Sequence, residues 1–126
     1  MSTIGAVAAG GAIGAVLRHG VNVASAHVLG ADFPWATLTV NVAGSFVMGL
    51  LIAAFAHFWQ PPQEMKLFLM TGILGAFTTF SAFSLDVSVL WERGAFLATG
   101  GYVLASVVLS IAALFAALLI VRSFVS

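Results

Sequence analysis

The sequence predicts an all-α membrane protein with four transmembrane helices in one domain, residues 1–126. Hydrophobic residues make up 62% of the 126 residues and charged residues only 6%, against roughly 25% charged in soluble domains. Four basic and four acidic residues are too few to cover a soluble core, which excludes a soluble globular enzyme. The balanced charge also excludes a nucleic-acid-binding protein, which needs a basic surface. The lack of cysteine excludes a disulfide framework or a zinc–cysteine site.

Four apolar stretches are each long enough to cross a bilayer, which takes roughly 20 residues. They cover residues 4–26, 36–58, 67–91 and 95–122, and the segments between them are short and polar or contain proline. Connections this short place neighbouring helices antiparallel. Trp35, Trp59 and Trp91 each stand at a predicted helix end, where an amphipathic ring prefers the headgroup layer.

The basic residues select neither orientation of the chain in the membrane. Lys66 and Arg122 fall on one predicted side, and Arg93 falls on the other, joined by Arg18 if that side chain snorkels outward. Either the charges are too few to decide, or the protein inserts both ways and pairs with an inverted copy of itself; the charges leave both open. Four helices enclose little volume, so a pore or substrate site is expected to need a second subunit.

Polar residues at bilayer depth are the functional candidates in the second span. Thr37, Asn41 and Ser45 follow each other at i, i+4 and i+8, which places them on one stripe of a helix. For the two hydroxyls alone, hydrogen bonds between helices are the simpler interpretation, with a functional role as the alternative. The carboxamide of Asn41 has four hydrogen-bonding sites and must find partners or water, so it is a candidate for function.

The fourth span repeats this spacing with three hydroxyl groups, at Tyr102, Ser106 and Ser110. Hydroxyls on successive helical turns can pass an anion or water along a track. They can equally form a structural stripe that hydrogen-bonds to a neighbouring helix, and the spacing does not distinguish the two.

The third span contains two glycines, Gly72 and Gly75, followed by a cluster of Thr, Ser and Phe. Glycine is costly in a helix, and Thr and Ser side chains compete for its backbone groups. The sequence therefore predicts that this helix is broken in mid-membrane, where the freed backbone groups line a cavity or bind an ion. The alternative is a continuous, tightly packed helix. Further along, Asp86 is expected either to face a watery vestibule or to pair with a basic group such as Arg18.

Three motifs in these spans resemble the Fluc (CrcB-type) fluoride channel family: 14–18 (GAVLR), 37–41 (TLTVN) with Gly44, and above all 75–84 (GAFTTFSAFS). The resemblance covers essentially the whole chain. It implies an antiparallel, dual-topology homodimer in a bacterial cell inner membrane, with two fluoride pathways and a structural Na⁺ at the dimer centre. It also implies a channel rather than an enzyme, one that exports toxic cytoplasmic fluoride by passive flow.

The resemblance assigns site residues by position. The fluoride pathway comprises residues of the second, third and fourth spans: Asn41, Thr79, Phe80, Ser81, Phe83, Tyr102, Ser106 and Ser110. The backbone carbonyls of Gly75 and Thr78 are expected to bind Na⁺, so that Thr78→Ser is mild and Gly75→Val is severe where the chain turns. The chain departs from the family's common pattern at Ala76, where a second glycine is frequent, and at Asp86, where Glu is frequent.

Two other functions fit four short helices. A proton-coupled exporter of the small multidrug-resistance type needs a membrane-embedded carboxylate. The first span contains no acid, and Asp86 is the only acid plausibly within a span. A non-transporting assembly subunit would explain the glycines, but neither Asn41 nor a broken third helix.

Overall fold

The computed structural model describes residues 2–125, and all the regular structure among them is helical. Helix α1 covers Thr3–Leu29 and α2 covers Trp35–His57. The third span is Gln63–Glu92, and the last helix covers Phe96–Val125. Each of these four spans is long and apolar enough to cross a bilayer. The predicted all-helical fold with four membrane-spanning segments is therefore confirmed.

Local chemistry accounts for the ends of the helices. The Ser2 hydroxyl accepts a hydrogen bond from the Gly5 N–H at 2.9 Å and so caps the start of α1. Gly30 ends α1 with a φ of 83°, a left-handed conformation that glycine adopts without steric cost. Gly94, with a φ of 77°, makes the turn before the last helix in the same way. These short turns give the antiparallel arrangement that the sequence predicts.

The third span consists of two helices separated by two extended residues. Helix α3, residues 63–77, begins with an α-helical turn, widens into a π-helical segment at Leu67–Leu74 and closes with the turn Gly75–Phe77. Thr78 (φ −85°, ψ 160°) and Thr79 (φ −156°, ψ 122°) are extended. Helix α4 then covers Phe80–Glu92, and α5 is the last helix, Phe96–Val125. We call Thr78 and Thr79 the interruption.

The chain leaves the helix at Thr78 and not at Gly75. Gly75 is helical, with φ −61° and ψ −37°. A Cβ built on it would meet only the Met70 carbonyl oxygen, at an ordinary 3.6 Å. The reason given for a severe effect of Gly75→Val, that the chain turns at this residue, is therefore wrong. Ala76 lies inside the same helical turn, so this backbone needs no second glycine.

Glycines bring the helices into close contact in two pairs. A Cβ on Gly10 would collide with the Phe68 carbonyl, and one on Gly14 with the Ile73 carbonyl, so these glycines let α1 lie directly on α3. A Cβ on Gly49 would lie 2.8 Å from the Ala117 Cβ, which shows that α2 and α5 approach just as closely. These contacts are those of small-residue packing between membrane helices.

A single chain leaves large apolar side chains uncovered. Phe80 is 77% exposed and Leu97 is 94% exposed, although both belong to spans that are apolar enough for a membrane. Lipid or another protein must cover this surface.

Candidate functional site

The peptide unit of Thr79 is held by the side chain of Asn41 on α2. The Thr79 N–H donates to Asn41 Oδ1 at 2.8 Å, and Asn41 Nδ2 donates to the Thr79 carbonyl at 3.1 Å. The carboxamide thus pairs with the interruption as a neighbouring β-strand would. Because Asn41 has two N–H donors and one is used here, its second N–H remains for another acceptor.

The two threonine hydroxyls bond to the helices that flank them. Thr78 Oγ1 donates to the Leu74 carbonyl at 2.9 Å, at the end of α3. Thr79 Oγ1 accepts from the Ala82 N–H at 3.1 Å and caps α4. The Ser81 Oγ lies 3.3 Å from the same Thr79 oxygen and is exposed. The sequence predicts a break because Thr and Ser side chains compete for the hydrogen bonds of the backbone. The bonds of Thr78 Oγ1 and Thr79 Oγ1 are of this kind.

Arg18 on α1 reaches the last turn of α3. Its Nε donates to the Ala76 carbonyl at 3.1 Å, and the side chain is half-buried. This bond directs Nε toward the interruption instead of outward along α1. Arg18 therefore does not snorkel as the charge count allowed, and its contact with Ala76 also differs from the expected pairing with Asp86.

Near the interruption, side chains donate hydrogen bonds to some backbone carbonyls and not to others. Within residues 2–125, hydrogen bonds from side chains reach the carbonyls of Ala76 and Thr79. In this part of the chain, neither a side chain nor a backbone N–H outside the helices donates to the carbonyls of Gly75 and Thr78. The last carbonyls of a helix have no partner within it, so the Gly75 oxygen remains available to a group from outside α3.

An open groove of about 410 Å³ lies beside the interruption. It runs between α2, the end of α3, the start of α4 and α5, and its wall is mostly apolar. The polar and aromatic residues in its wall come from all of these helices: Asn41, Ser45, Thr78, Thr79, Phe80, Phe83, Ser106 and Ser110. A cavity of this size, apolar with a few convergent polar groups, is typical of a small-ligand or ion site.

Two phenylalanine rings form one side of the groove. Phe80 and Phe83 have ring centroids 5.4 Å apart, and Phe83 lies 5.2 Å from the Tyr102 ring. Phe83 is 8% exposed, so packing within one chain holds its ring in place. Phe80 projects outward. The contact orients their ring edges, which carry the positive end of the aromatic quadrupole.

The Tyr102 hydroxyl points away from the groove and donates to Asp86 Oδ2 at 3.0 Å. Asp86 also lines a second cavity of about 270 Å³ beside Asp32 and Arg93. Of the two alternatives for this carboxylate, the structure supports the cavity and contradicts the pairing with Arg18.

Ser106 and Ser110 are one turn apart on α5 and face the groove. Both hydroxyl oxygens are buried, and neither makes a hydrogen bond to any described residue. A buried hydroxyl without a partner costs about 1–3 kcal/mol, so this pair fits a site that receives a polar ligand. A structural stripe would need these hydroxyls to bond to a neighbouring helix, which neither does within residues 2–125.

Comparison of the sequence with those of known proteins shows its family. Residues 5–118 match the family model described as CrcB-like protein, Camphor Resistance (CrcB). A relative from Rhodospirillum centenum, named Fluoride-specific ion channel FluC, is 56% identical over 126 residues, which is 100% of each chain. The chain belongs to the CrcB family.

Two further relatives of this CrcB chain carry the same name. The Chelativorans sp. protein is 59% identical over 117 residues, 93% of this chain and 94% of the relative. The Agrobacterium fabrum protein is 53% identical over 123 residues, 98% of each chain. The relatives are bacterial channels and not enzymes. With its four membrane-spanning helices, this CrcB chain is a multi-pass protein of the bacterial inner membrane.

The groove brings together most of the residues singled out in the CrcB sequence. Eight of them line it: Asn41, Gly75, Thr78, Thr79, Phe80, Phe83, Ser106 and Ser110. Two do not. Ser81 lies outside the wall, but its Oγ is 3.3 Å from the Thr79 Oγ1. Tyr102 is fully buried, with its ring packed against Phe83.

Sequence reasoning missed the contacts that Asn41 and Arg18 make with the backbone. It also missed the apolar wall that α5 contributes through Val107, Ile111 and Leu114. The spacing of these three residues, i, i+4 and i+7, marks one helical face, which is the signal that could have found them. No spacing could have found the backbone contacts, because their partners are 38 and 58 residues away.

Proposed function

We propose that this CrcB protein is a fluoride-selective ion channel, through which cytoplasmic fluoride leaves by passive flow down its electrochemical gradient, lowering its toxicity. The relatives described above carry the name of a fluoride-specific ion channel. The structural observation that carries the proposal is the buried, unpartnered pair of hydroxyls, Ser106 and Ser110, in one groove with Asn41.

The chemistry of the groove suits fluoride. This ion is small and strongly hydrated, so a pore must replace its water with donors without binding it too tightly. The groove offers neutral donors only: two serine hydroxyls, the second N–H of Asn41, and the positive ring edges of Phe80 and Phe83. Tyr102 supports Phe83, and Thr79 and Ser81 support the start of α4. Neutral donors of this kind favour rapid passage over tight binding.

An antiparallel, dual-topology homodimer is part of the proposal. The groove is open along one side in a single chain, and Phe80 is 77% exposed beside it. A second, inverted copy would cover both and would produce two pathways related by symmetry. Dimers of identical chains with two-fold symmetry are the commonest oligomers.

A structural Na⁺ at the centre of that dimer is the third part. Within residues 2–125, the side-chain donors near the interruption reach the carbonyls of Leu74, Ala76 and Thr79 and not those of Gly75 and Thr78, and both of these residues line the groove. Two inverted copies would contribute four backbone oxygens, which are ligands that a hard cation prefers. A cation there, in mid-membrane, would also offset the electrostatic cost of nearby anions.

A flux assay in liposomes tests the channel. Purified protein is reconstituted with fluoride or chloride inside, and efflux is followed with a counter-ion shunt and without a proton gradient. Fast fluoride efflux with little chloride efflux supports the channel, and no fluoride efflux contradicts it. Omitting sodium throughout purification tests the cation site. Full activity and stability in lithium or potassium buffer would argue against it.

The same liposomes, given a proton gradient and a cationic substrate, test the proton-coupled exporter. That mechanism needs an intramembrane carboxylate that is free to exchange a proton for a cation, and Asp86 is the candidate. Its Oδ2 already accepts the Tyr102 hydroxyl. Cation transport that requires a proton gradient, without fluoride efflux, would identify the exporter instead.

A further inference from the structure

Arg18 lies near the middle of a membrane-spanning helix. It stands 11 residues before Leu29, the end of α1, which is about 16 Å at a rise of 1.5 Å per residue. A charged side chain at this depth is costly unless it is paired. Within residues 2–125, Arg18 donates to the Ala76 carbonyl, so the last turn of α3 is what holds this group.

The face of α1 that carries Arg18 is built to reach α3. Gly10 and Gly14 precede Arg18 by eight and four residues, and both lie against the α3 backbone without room for a side chain. Arg18 therefore occupies the next turn of the same face. Its side chain extends over the end of α3, to the carbonyl that falls between Gly75 and Thr78 in the sequence.

The choice of carbonyl matters for the cation site. The last carbonyls of a helix have no partner within it and accept from donors outside the helix. Arg18 donates to the Ala76 oxygen and Asn41 to the Thr79 oxygen, and no side chain among the described residues donates to those of Gly75 and Thr78. Ala76 does not line the groove, whereas Gly75 and Thr78 do.

We propose that Arg18 is a positioning residue of the cation site. By donating to the Ala76 carbonyl, its Nε fixes the last turn of α3. The Gly75 and Thr78 carbonyls are thereby held facing the groove. The role belongs to the directed N–H donor and not to the positive charge. This inference rests on the sodium site proposed above and adds the residue that determines its geometry.

Three substitutions separate the donor from the charge. In Arg18→Gln, the Nε2 amide nitrogen stands at the same number of bonds from Cα as the arginine Nε, so the donor remains and the charge is lost. In Arg18→Lys, a methylene stands at that position, so the charge remains and the donor is displaced. Arg18→Met places a methyl group there and removes both.

The measurement is the sodium concentration that gives half-maximal fluoride efflux from liposomes, with sodium replaced by lithium or potassium. We expect Arg18→Gln to stay within about threefold of the parent, and Arg18→Lys and Arg18→Met to need roughly tenfold more sodium, as loss of one hydrogen bond predicts. Size-exclusion chromatography reports assembly of each variant. Assembly of Arg18→Gln together with failure of Arg18→Lys also supports the donor role.

Several outcomes would overturn the inference. Parent-like behaviour of Arg18→Lys with impairment or misassembly of Arg18→Gln would assign the role to the charge. Three variants that all match a sodium-dependent parent would show that Arg18 does not position the site, while the sodium site itself stands. A parent that conducts fully without sodium would remove the site and the inference together.

Discussion

The carboxamide of Asn41 has more hydrogen-bonding sites than the backbone of Thr79 uses, which leaves a donor for the proposed ion path. Its Oδ1 and one N–H pair with the Thr79 peptide. This fixes the orientation of the amide, since a flipped amide would place like groups against each other. The remaining N–H is thereby held in one direction, which is what a donor along an ion path requires.

The substitution Asn41→Asp tests this residue. A carboxylate cannot donate to the Thr79 carbonyl, and it places a negative charge beside the groove. We expect fluoride efflux to be abolished and the protein to lose about 1–3 kcal/mol of stability from the unsatisfied carbonyl. Liposome efflux and thermal unfolding in detergent measure the two effects. Parent-like efflux from Asn41→Asp would remove Asn41 from the path.

The phenylalanines of the third span provide a matched comparison. Phe80 and Phe83 line the groove, whereas Phe77 lies outside its wall and packs near Gly44. Phe80→Ile and Phe83→Ile keep apolar bulk but delete a polarised ring edge and an aromatic contact worth about 0.5–1.5 kcal/mol. We expect each to reduce fluoride efflux strongly, by about threefold to tenfold, in a protein that still assembles.

Phe77→Leu is the control, since it is a packing change that costs less than about 1.5 kcal/mol. General destabilisation would affect all three variants alike. If Phe80→Ile and Phe83→Ile conduct like the parent, the rings serve only packing and the path lies elsewhere.

At the scale of the helices, the interruption depends on the close approach of α2. A Cβ on Gly44 would collide with the Thr78 Cγ2 methyl, while the Phe77 ring would be 3.4 Å from it. The absence of a side chain at Gly44 thus lets Thr78 remain extended against α2. Asn41 lies one turn earlier on the same helix, so α2 presents both the space and the hydrogen bonds that stabilise the interruption.

Gly44→Ala and Thr78→Ser test this packing as a pair. Gly44→Ala alone should destabilise the protein by about 1–3 kcal/mol through overpacking. Thr78→Ser alone should be mild, because serine keeps the hydroxyl that donates to the Leu74 carbonyl. The double variant should recover most of the loss, because serine lacks the methyl group that the new Cβ would meet.

Thermal unfolding of the four proteins in detergent measures this coupling. Additive effects of the two substitutions would contradict the contact. Gly100→Ala is a matched control, since a Cβ at this glycine meets no atom within 4 Å. It should leave the unfolding temperature close to that of the parent.

At the scale of the whole molecule, orientation in the membrane depends on very few charges. With Arg18 directed to the interruption, Lys66 and Arg122 on one side face Arg93 alone on the other. So small a difference is a weak determinant of orientation. The short turns at Gly30 and Gly94 add no long loop that would favour one side.

We therefore predict that the protein inserts in both orientations. Reporter fusions to the C-terminus should detect it on both sides of the membrane. Two lysines added at one end should bias insertion and lower fluoride efflux, because inverted partners become scarce. The same two positions changed to glutamine serve as the control. A single orientation in every copy would contradict the antiparallel dimer.

Much of the fold could be predicted because it follows from local composition. Apolar length and the short polar connections determine four helices, and the predicted spans differ from the observed ones by a few residues at their ends. The cluster of Thr and Ser after Phe77 indicated where side chains compete for the backbone. The eight-residue π-helical segment at Leu67–Leu74 was not predicted, because such a widening leaves no period in the sequence that distinguishes it from an α-helix.

The sequence by itself determined that this chain spans a membrane four times, that it belongs with the CrcB proteins, and that its polar residues are concentrated in three spans. Only the tertiary structure decided what those residues bond to. Asn41 pairs with a peptide unit 38 residues away, and Arg18 with a carbonyl 58 residues away. The physical reason is that a backbone group freed from a helix is satisfied by whichever side chain packing brings within reach, and packing across four helices is not a property of any local stretch.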